Sequence, residues 1–293
     1  MATLRELKGR IGSVASSEKI TGAMKMISSA KMHKAEGALK RLKPYRSTIE
    51  AIIGNLLTAD ATFTSPLSEA RAVERLTLVV LGSDDGLCGA YNANMVKYID
   101  ERIADLRTRY GAGLRITLMP VGKKMAKAVA RLAGPAITIQ LPDVNSKSEG
   151  DDVKAFQAAL IESFIRHDTD AVDVAYMNYK SAGRQVAVID RILPVSPETF
   201  AAQGVKESAR PYIFEPDAQT IFSSVLPMYI LSLVQEVFVE NRASEQAARV
   251  MAMQSANDNA KKLLDQLRLE YNKLRQASIT TELLDIVGGQ VRD

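Results

Sequence analysis

Leu263-Leu264-Asp265-Gln266-Leu267-Arg268-Leu269-Glu270-Tyr271-Asn272-Lys273-Leu274 places apolar side chains at 263, 267, 271 and 274. Four-four-three spacing is the mark of a supercoiled helix seam. Helix-forming residues continue on both sides of it. They run back to Asp217, which follows Pro216 and is well placed to cap a helix. They run forward to Val287, ahead of Gly288-Gly289. About 70 residues at ~1.5 Å each make a helix of ~105 Å. Pro227 lies inside it and predicts a kink. A helix this long with one apolar stripe has to bury the stripe against something distant in sequence.

The N-terminal segment offers a partner. Leu4, Leu7, Ile11 and Val14 sit at three-four spacing. Ile20, Met24 and Ile27 continue a stripe in shifted phase, and Leu39, Leu42, Ile49, Ile53 and Leu56 extend it. The pattern predicts a helix over about Leu4–Leu57, ~80 Å long, with a bend or local break at Pro44. Packing the two terminal helices antiparallel is the economical solution. Any length that outruns its partner needs other proteins to cover it.

Between them the pattern changes period. Leu76–Leu81, Ile116–Val121, Ile137–Leu141, Val172–Tyr176 and Val186–Ile192 read as strands, with helical stretches near 92–109, 122–133 and 151–167. That alternation predicts a mainly parallel sheet with helical crossovers. The expected fold is α/β: a long antiparallel coiled coil of N- and C-terminal helices plus a central Rossmann-like, mainly parallel α/β domain. The expected division is 1–58 and 217–293 for the coiled-coil shaft and 72–216 for the α/β domain.

Composition narrows the function classes. The chain of 293 residues is 46% hydrophobic and 25% charged, ordinary for a globular protein. Aromatics are scarce, Trp is absent and Met is plentiful at 11 residues, which suits adaptable helix contacts. One cysteine, Cys88, cannot form an internal disulfide, and a reducing compartment is expected. No apolar run reaches the ~18 residues of a membrane span, and no secretory signal pattern opens the chain. A soluble protein is expected, associated with membranes only through partners. The net charge of +4 is uneven: residues 1–46 hold eleven Lys or Arg against three Asp or Glu. Either an acidic partner or a solvated basic helix face accounts for that.

Few motifs carry chemistry. Gly82-Ser83-Asp84-Asp85-Gly86-Leu87-Cys88-Gly89-Ala90-Tyr91-Asn92 joins the first strand to a helix, where phosphate can bind. It lacks the P-loop lysine and the G-x-G-x-x-G pattern, and Asp84 and Asp85 would repel an anion. A tight packing turn is the better reading. Two histidines, His33 and His167, with one cysteine make neither a triad nor a zinc set. Cys88 reads as a small packed residue, and Asp151-Asp152 as a pair complementing a helix dipole. Met24, Met26 and Met32 fit seam packing or a slippery contact surface, and their spacing does not choose. No catalytic residue, cofactor or metal is expected.

Three segments identify a family. Ile20-Thr21-Gly22-Ala23-Met24-Lys25-Met26-Ile27-Ser28-Ser29-Ala30-Lys31-Met32 resembles the N-terminal signature of F-type ATP synthase gamma subunits. Ser83–Asn92 resembles their central S-D-x-G-L-C-G loop, with Asp85 where many relatives carry Arg. Ser244–Arg249, Met253-Gln254, Asp258-Asn259 and Tyr271–Leu283 resemble their C-terminal signature. The resemblance implies a rotating, non-catalytic shaft. Its coiled coil would lie inside a ring of alternating alpha and beta subunits. Its α/β domain would sit beside the epsilon subunit, on the proton-driven membrane ring. It implies ring contacts at Met24, Lys25, Arg249, Arg275, Gln276 and Thr280, with Lys19, Lys31 and Lys34 toward acidic segments of beta. It implies contacts to the proton-driven ring at Arg210, Tyr212 and Glu215. No transit peptide is read at the N-terminus, a feature expected of a bacterial chain and shared by a processed mature one. The expected place is the cytoplasmic face of the plasma (inner) membrane, as a peripheral protein. A dithiol switch like that of chloroplast relatives is excluded by the single cysteine. Two rival readings stand beside this one: a nucleotide-binding enzyme with a coiled-coil appendage, and a basic coiled-coil module for tethering or nucleic-acid binding, without nucleic acid as a partner in the preferred reading.

Overall fold

The computed structural model describes residues 3–58, 63–196, 200 and 214–290, with Thr58 and the last six of these described by backbone alone. Two helices dominate: α1 (Leu4–Thr58) and, at the other end of the chain, α5 (Ala218–Gln290). Between them lie β1 (Arg75–Leu81), α2 (Tyr91–Tyr110), β2 (Arg115–Val121), α3 (Lys123–Val129), β3 (Ile137–Ile139), α4 (Asp151–Ile165), β4 (Ala171–Ser181) and β5 (Arg184–Leu193). The strands form one sheet in the order β3-β2-β1-β4-β5. All pairs are parallel except the β4–β5 hairpin.

Alternation along the strands divides the core between two faces. Leu76, Leu78 and Val80 of β1 meet Met95, Ile99 and Ile103 of α2 and Met125 of α3. Val79 and Leu81 point the other way, to Phe156 and Leu160 of α4, Ile53 and Leu56 of α1, and Phe222, Leu226 and Phe238 of α5. The base of the helix pair is therefore part of the domain core. Arg46 closes that base, with Nη1 donating to Glu236 at 3.0 Å and Nε to Glu50 at 2.7 Å.

Beyond the domain the helices continue as an antiparallel pair, and the seam has a different phase from the expected one. Along α1 the covered positions recur by heptads: Leu7, Val14, Thr21, Ser28, Ala35, Leu42, Ile49 and Leu56, with Ile11, Glu18, Lys25, Met32, Leu39 and Ile53 between them. Ile20 and Ile27 face outward, 60% and 57% exposed. A helix has one face toward its partner; of the shifted stripe, Ile20 and Ile27 lie off it and Met24 stays half-buried at its edge. On α5 the seam runs through Leu264, buried, while Leu263 is exposed; Leu267, Tyr271 and Leu274 hold their expected places.

Other expectations need adjustment. The local break allowed at Pro44 does not occur, since α1 runs on through it; Pro227 likewise lies inside a continuous α5. Seryl and threonyl hydroxyls of Ser47 and Thr48 take up the Pro44 carbonyl, each at 2.9 Å. Gly288 and Gly289 do not end α5, which reaches Gln290; glycine weakens a helix by about 1 kcal/mol without forbidding it. α5 also contains an 18-residue window apolar enough by composition to cross a membrane, contrary to the expectation of none. Half of that window is buried inside the protein, and near the start of α5 the apolar Phe222, Leu226 and Ile230 serve the domain core. Asp217 caps α5 as expected: the Thr220 N–H donates to its Oδ1 at 2.8 Å and the Thr220 hydroxyl to its Oδ2 at 2.6 Å.

Candidate functional site

In an open α/β sheet the ligand crevice lies beyond the carboxyl ends of the strands, where the strand order reverses. Here that point falls between β1 and β4, and side chains of α5 occupy it. Asn241, 1% exposed, donates from Nδ2 to the Gly82 carbonyl at 3.1 Å and accepts the Tyr91 hydroxyl at 2.6 Å. The Ser244 hydroxyl donates to the Met177 carbonyl at 2.7 Å, and the Tyr179 N–H donates to Glu240 at 3.2 Å. Glu240, Asn241, Ser244, Glu245 and Arg249 share one side of the helix at one-, three- and four-residue spacing. The end of each central strand is thereby tied to the shaft.

Arg249 completes the clamp. Its guanidinium donates to the carbonyls of Gly86 at 3.1 Å and Asp85 at 3.3 Å, and to Glu245 at 2.6 Å. Both members of the ion pair are buried. Burial pushes the Glu245 carboxyl up from its ordinary value, and Arg249 opposes that push. Nearby, Arg242 pairs with Glu149 and donates to the Ser148 carbonyl at 3.1 Å, holding the loop that leads into α4.

The glycine-rich turn is a brace between loops. Ser83 and Asn92 hydrogen-bond to each other across the turn, at 3.1 and 2.7 Å. A Cβ on Gly82 would come 2.4 Å from the Met125 side chain, so only glycine fits. Asp84 accepts the Lys123 N–H at 2.9 Å, at the start of α3, and the Ser146 N–H and hydroxyl at 2.9 and 2.8 Å. The neighbouring Asp85 is paired with Lys147 at 2.9 Å, and that contact holds its carboxyl below the usual range. The two aspartates expected to repel an anion thus lock two loops together. Cys88 is buried in the same turn. Among the described residues no cluster of three or more His, Cys, Asp or Glu could hold a metal ion.

The structure does not bring the expected contact residues into one place. Arg249, expected to face an outer ring, is 5% exposed and turned inward; its reach to the 85–86 carbonyls is what α5 needs to grip the domain. Met24 is half-buried and lines a cleft of about 860 Å³ between α1, α5 and the 85–87 and 146–150 loops, with Lys31 and Lys34 on its rim. Lys25 occupies a half-buried seam position, and Lys19 is exposed. Arg275, Gln276 and Thr280 stand exposed on the end of α5, the Thr280 hydroxyl returning to the Gln276 carbonyl at 2.9 Å. Asn257 faces Glu18 and Thr21 of α1, so in antiparallel register α1 begins near the level of Leu274. Ile279, Leu283 and Leu284, 48–65% exposed, lie past it. Glu215 is exposed just before the α5 cap. Arg210 and Tyr212 lie outside the described residues.

Sequence reasoning passed over Glu240, Asn241 and Arg242 as clamp residues. The available signal was a run of buried-type helix interrupted by charged and amide side chains on one side, a pattern that calls for polar partners.

A family model described as ATP synthase matches residues 3–291. The ATP synthase gamma chain of Bacteroides thetaiotaomicron is 38% identical over 302 residues, covering 100% of both chains. That of Polynucleobacter asymbioticus is 35% identical over 291 residues, covering 99% of each. Among solved structures, a chain of the Euglena gracilis mitochondrial ATP synthase superposes with a TM-score of 0.66 at 23% identity, over 98% of this chain and 93% of that one. The last likeness shows the shared fold; the first three, spanning both terminal helices and the clamped domain, show that the chain belongs to the ATP synthase gamma chain family.

Proposed function

We propose that the chain is the rotating, non-catalytic central shaft of an F-type ATP synthase. In this reading 1–58 and 217–293 form the shaft and 72–216 the domain that turns it. The observation that carries the reading is the clamp: the crevice where such a sheet would hold a ligand is occupied by α5 itself. A domain welded to a helix through buried hydrogen bonds moves with it as one body.

The helix pair has unlike faces all round, with apolar Ile20 and Ile27 exposed on α1 and charged side chains elsewhere. Turned inside a ring of alternating alpha and beta subunits, it would present a different surface to each of three catalytic sites. Each site then changes its affinity because its contact with the shaft differs between states. The bare end of α5, with Arg275, Gln276 and Thr280, fits loops at the top of such a ring. Arg brings a rigid fork of donors suited to carboxylates. The basic stripe Lys19, Lys25, Lys31 and Lys34 fits acidic segments of beta, with weak exposed pairs that guide without locking. At the other end, Glu215, with Arg210 and Tyr212, fits polar loops of the proton-driven ring, and the epsilon subunit would lie beside the α/β domain. The complex would place the chain at the cytoplasmic face of a bacterial plasma membrane.

Affinity purification of the tagged chain from its own cells tests this. Alpha, beta, epsilon and the membrane ring are expected to come down with it in an ATP-synthesising complex. Recovery of the chain without alpha and beta would overturn the reading.

A further inference from the structure

Between Val14 and Met32 the heptad positions of the α1 seam are polar, Glu18, Thr21, Lys25 and Ser28, and the one large apolar side chain beside them, Met24, is half-buried and lines the cleft next to the seam. Apolar knobs-into-holes packing sets the alignment of the two helices only weakly across that stretch, because the heptad positions of α1 supply no large apolar knob. Asn257 of α5 sits there, 7% exposed. Its Nδ2 donates to the Glu18 carbonyl at 2.6 Å and to the Thr21 hydroxyl at 3.3 Å. The Thr21 hydroxyl in turn donates to the Ser17 carbonyl at 2.9 Å, leaving a lone pair for the amide. Gly22 eases the approach, since a Cβ there would lie a tight 3.3 Å from Asn257 Nδ2.

We propose that Asn257 is a positioning residue: a register pin that aligns the helix pair across the polar stretch of the seam and so fixes the alignment of what lies above it. The proposal deepens the shaft reading and rests on it for its consequence, that the bare end of α5 keeps a defined angle to the clamped domain. A single amide at a seam position specifies alignment at some expense of stability, because another register would leave its donors buried and unpaired. Stability and alignment should therefore respond in opposite directions to an apolar substitution.

The test uses the full chain in a Cys88→Ser background, with pairs of spin labels read by pulsed dipolar spectroscopy. One pair lies above the pin, at Ser13→Cys and Lys262→Cys. The other lies below it, at Met26→Cys and Met251→Cys. In the parent both pairs are expected to give one narrow distance. With Asn257→Leu the upper pair should lose its single maximum while the lower pair keeps it, and the melting temperature should hold or rise. Asn257→Asp, the same shape with no donor, should lose the upper maximum and also melt lower. If Asn257→Leu does not fold, Asn257→Ala is read in the same way. An unchanged upper distance in the apolar variant would overturn the pin. These distances are measured on the isolated chain, so failure of the chain to assemble with alpha and beta would count against the shaft reading alone.

Discussion

Two stretches of the same helix make opposite uses of their side chains. Over 240–249, α5 buries Asn241, Ser244, Glu245 and Arg249, with Asn241, Ser244 and Arg249 donating to carbonyls of the α/β domain and Glu245 paired with Arg249. Over 275–284 it leaves Arg275, Gln276, Thr280 and three large apolar residues open to solvent. One stretch grips its own domain; the other has its surface free for something else. A rotor needs both kinds of end, because twist must be taken up without slip at one place and delivered by contact at another.

Arg249→Ala is the strongest way to break that contrast. It leaves Glu245 buried without its cation, and a loss of about 3–5 kcal/mol of folding stability is expected by denaturant titration. Replacing both partners with apolar residues of similar size should restore most of that. If the clamp were only ornamental, Arg249→Ala would fall within the ~0.5 kcal/mol typical of surface changes.

Asn241→Ala should cost less, about 1–3 kcal/mol, because the Gly82 carbonyl loses its side-chain donor and the Tyr91 hydroxyl keeps only the longer bond to the residue 241 carbonyl. The overhang should behave in the reverse sense. Arg275→Ala with Gln276→Ala is expected to leave the melting curve of the isolated chain unchanged. ATP synthesis by the assembled enzyme should fall roughly tenfold, the equivalent of about 1.4 kcal/mol spread over two lost contacts. Full synthesis in that double variant would remove the functional half of the comparison. Glu215→Lys sharpens it at the other end of the shaft: synthesis driven by proton flow should drop while hydrolysis by the detached soluble part stays near normal.

The smallest effect is a pH dependence beside the clamp. The hydroxyl of Tyr179 hydrogen-bonds to Glu36 of α1, and that bond holds the Glu36 carboxyl below its ordinary value. A lowered folded-state pKa contributes stability above the unfolded value, about 4.3, and loses it as pH falls through the folded one. Tyr179→Phe should therefore melt lower than the parent at neutral pH, and the two curves should converge in acid. A gap that stays constant down to pH values well below about 4 would show that the tyrosine acts by packing alone.

Much of the fold was legible because it depends on local period. The change from helical to alternating pattern and back marks the strands and the long terminal helices. Asp217 after Pro216 marks the start of α5, and its hydrogen bonds to Thr220 are the local chemistry that any N-cap uses. The three signatures in order gave the family from the residues alone. Period does not carry phase, however. Leu263 and Leu264 are adjacent leucines, and only the partner helix decides that 264 goes inside. The same holds for Ile20 and Ile27, whose spacing is good and whose direction is outward. The clamp was further from reach still. Asn241 and Gly82 are separated by 159 residues, and Arg249 and Gly86 by 163, so no local pattern links them. An arginine reads the same in sequence whether it reaches for a partner subunit or for a carbonyl of its own chain. Sequence by itself determined the elements, their order and the family; tertiary structure alone decided which polar side chains are turned inward, because that depends on which distant backbone groups are left needing a hydrogen bond once the helices and sheet have packed.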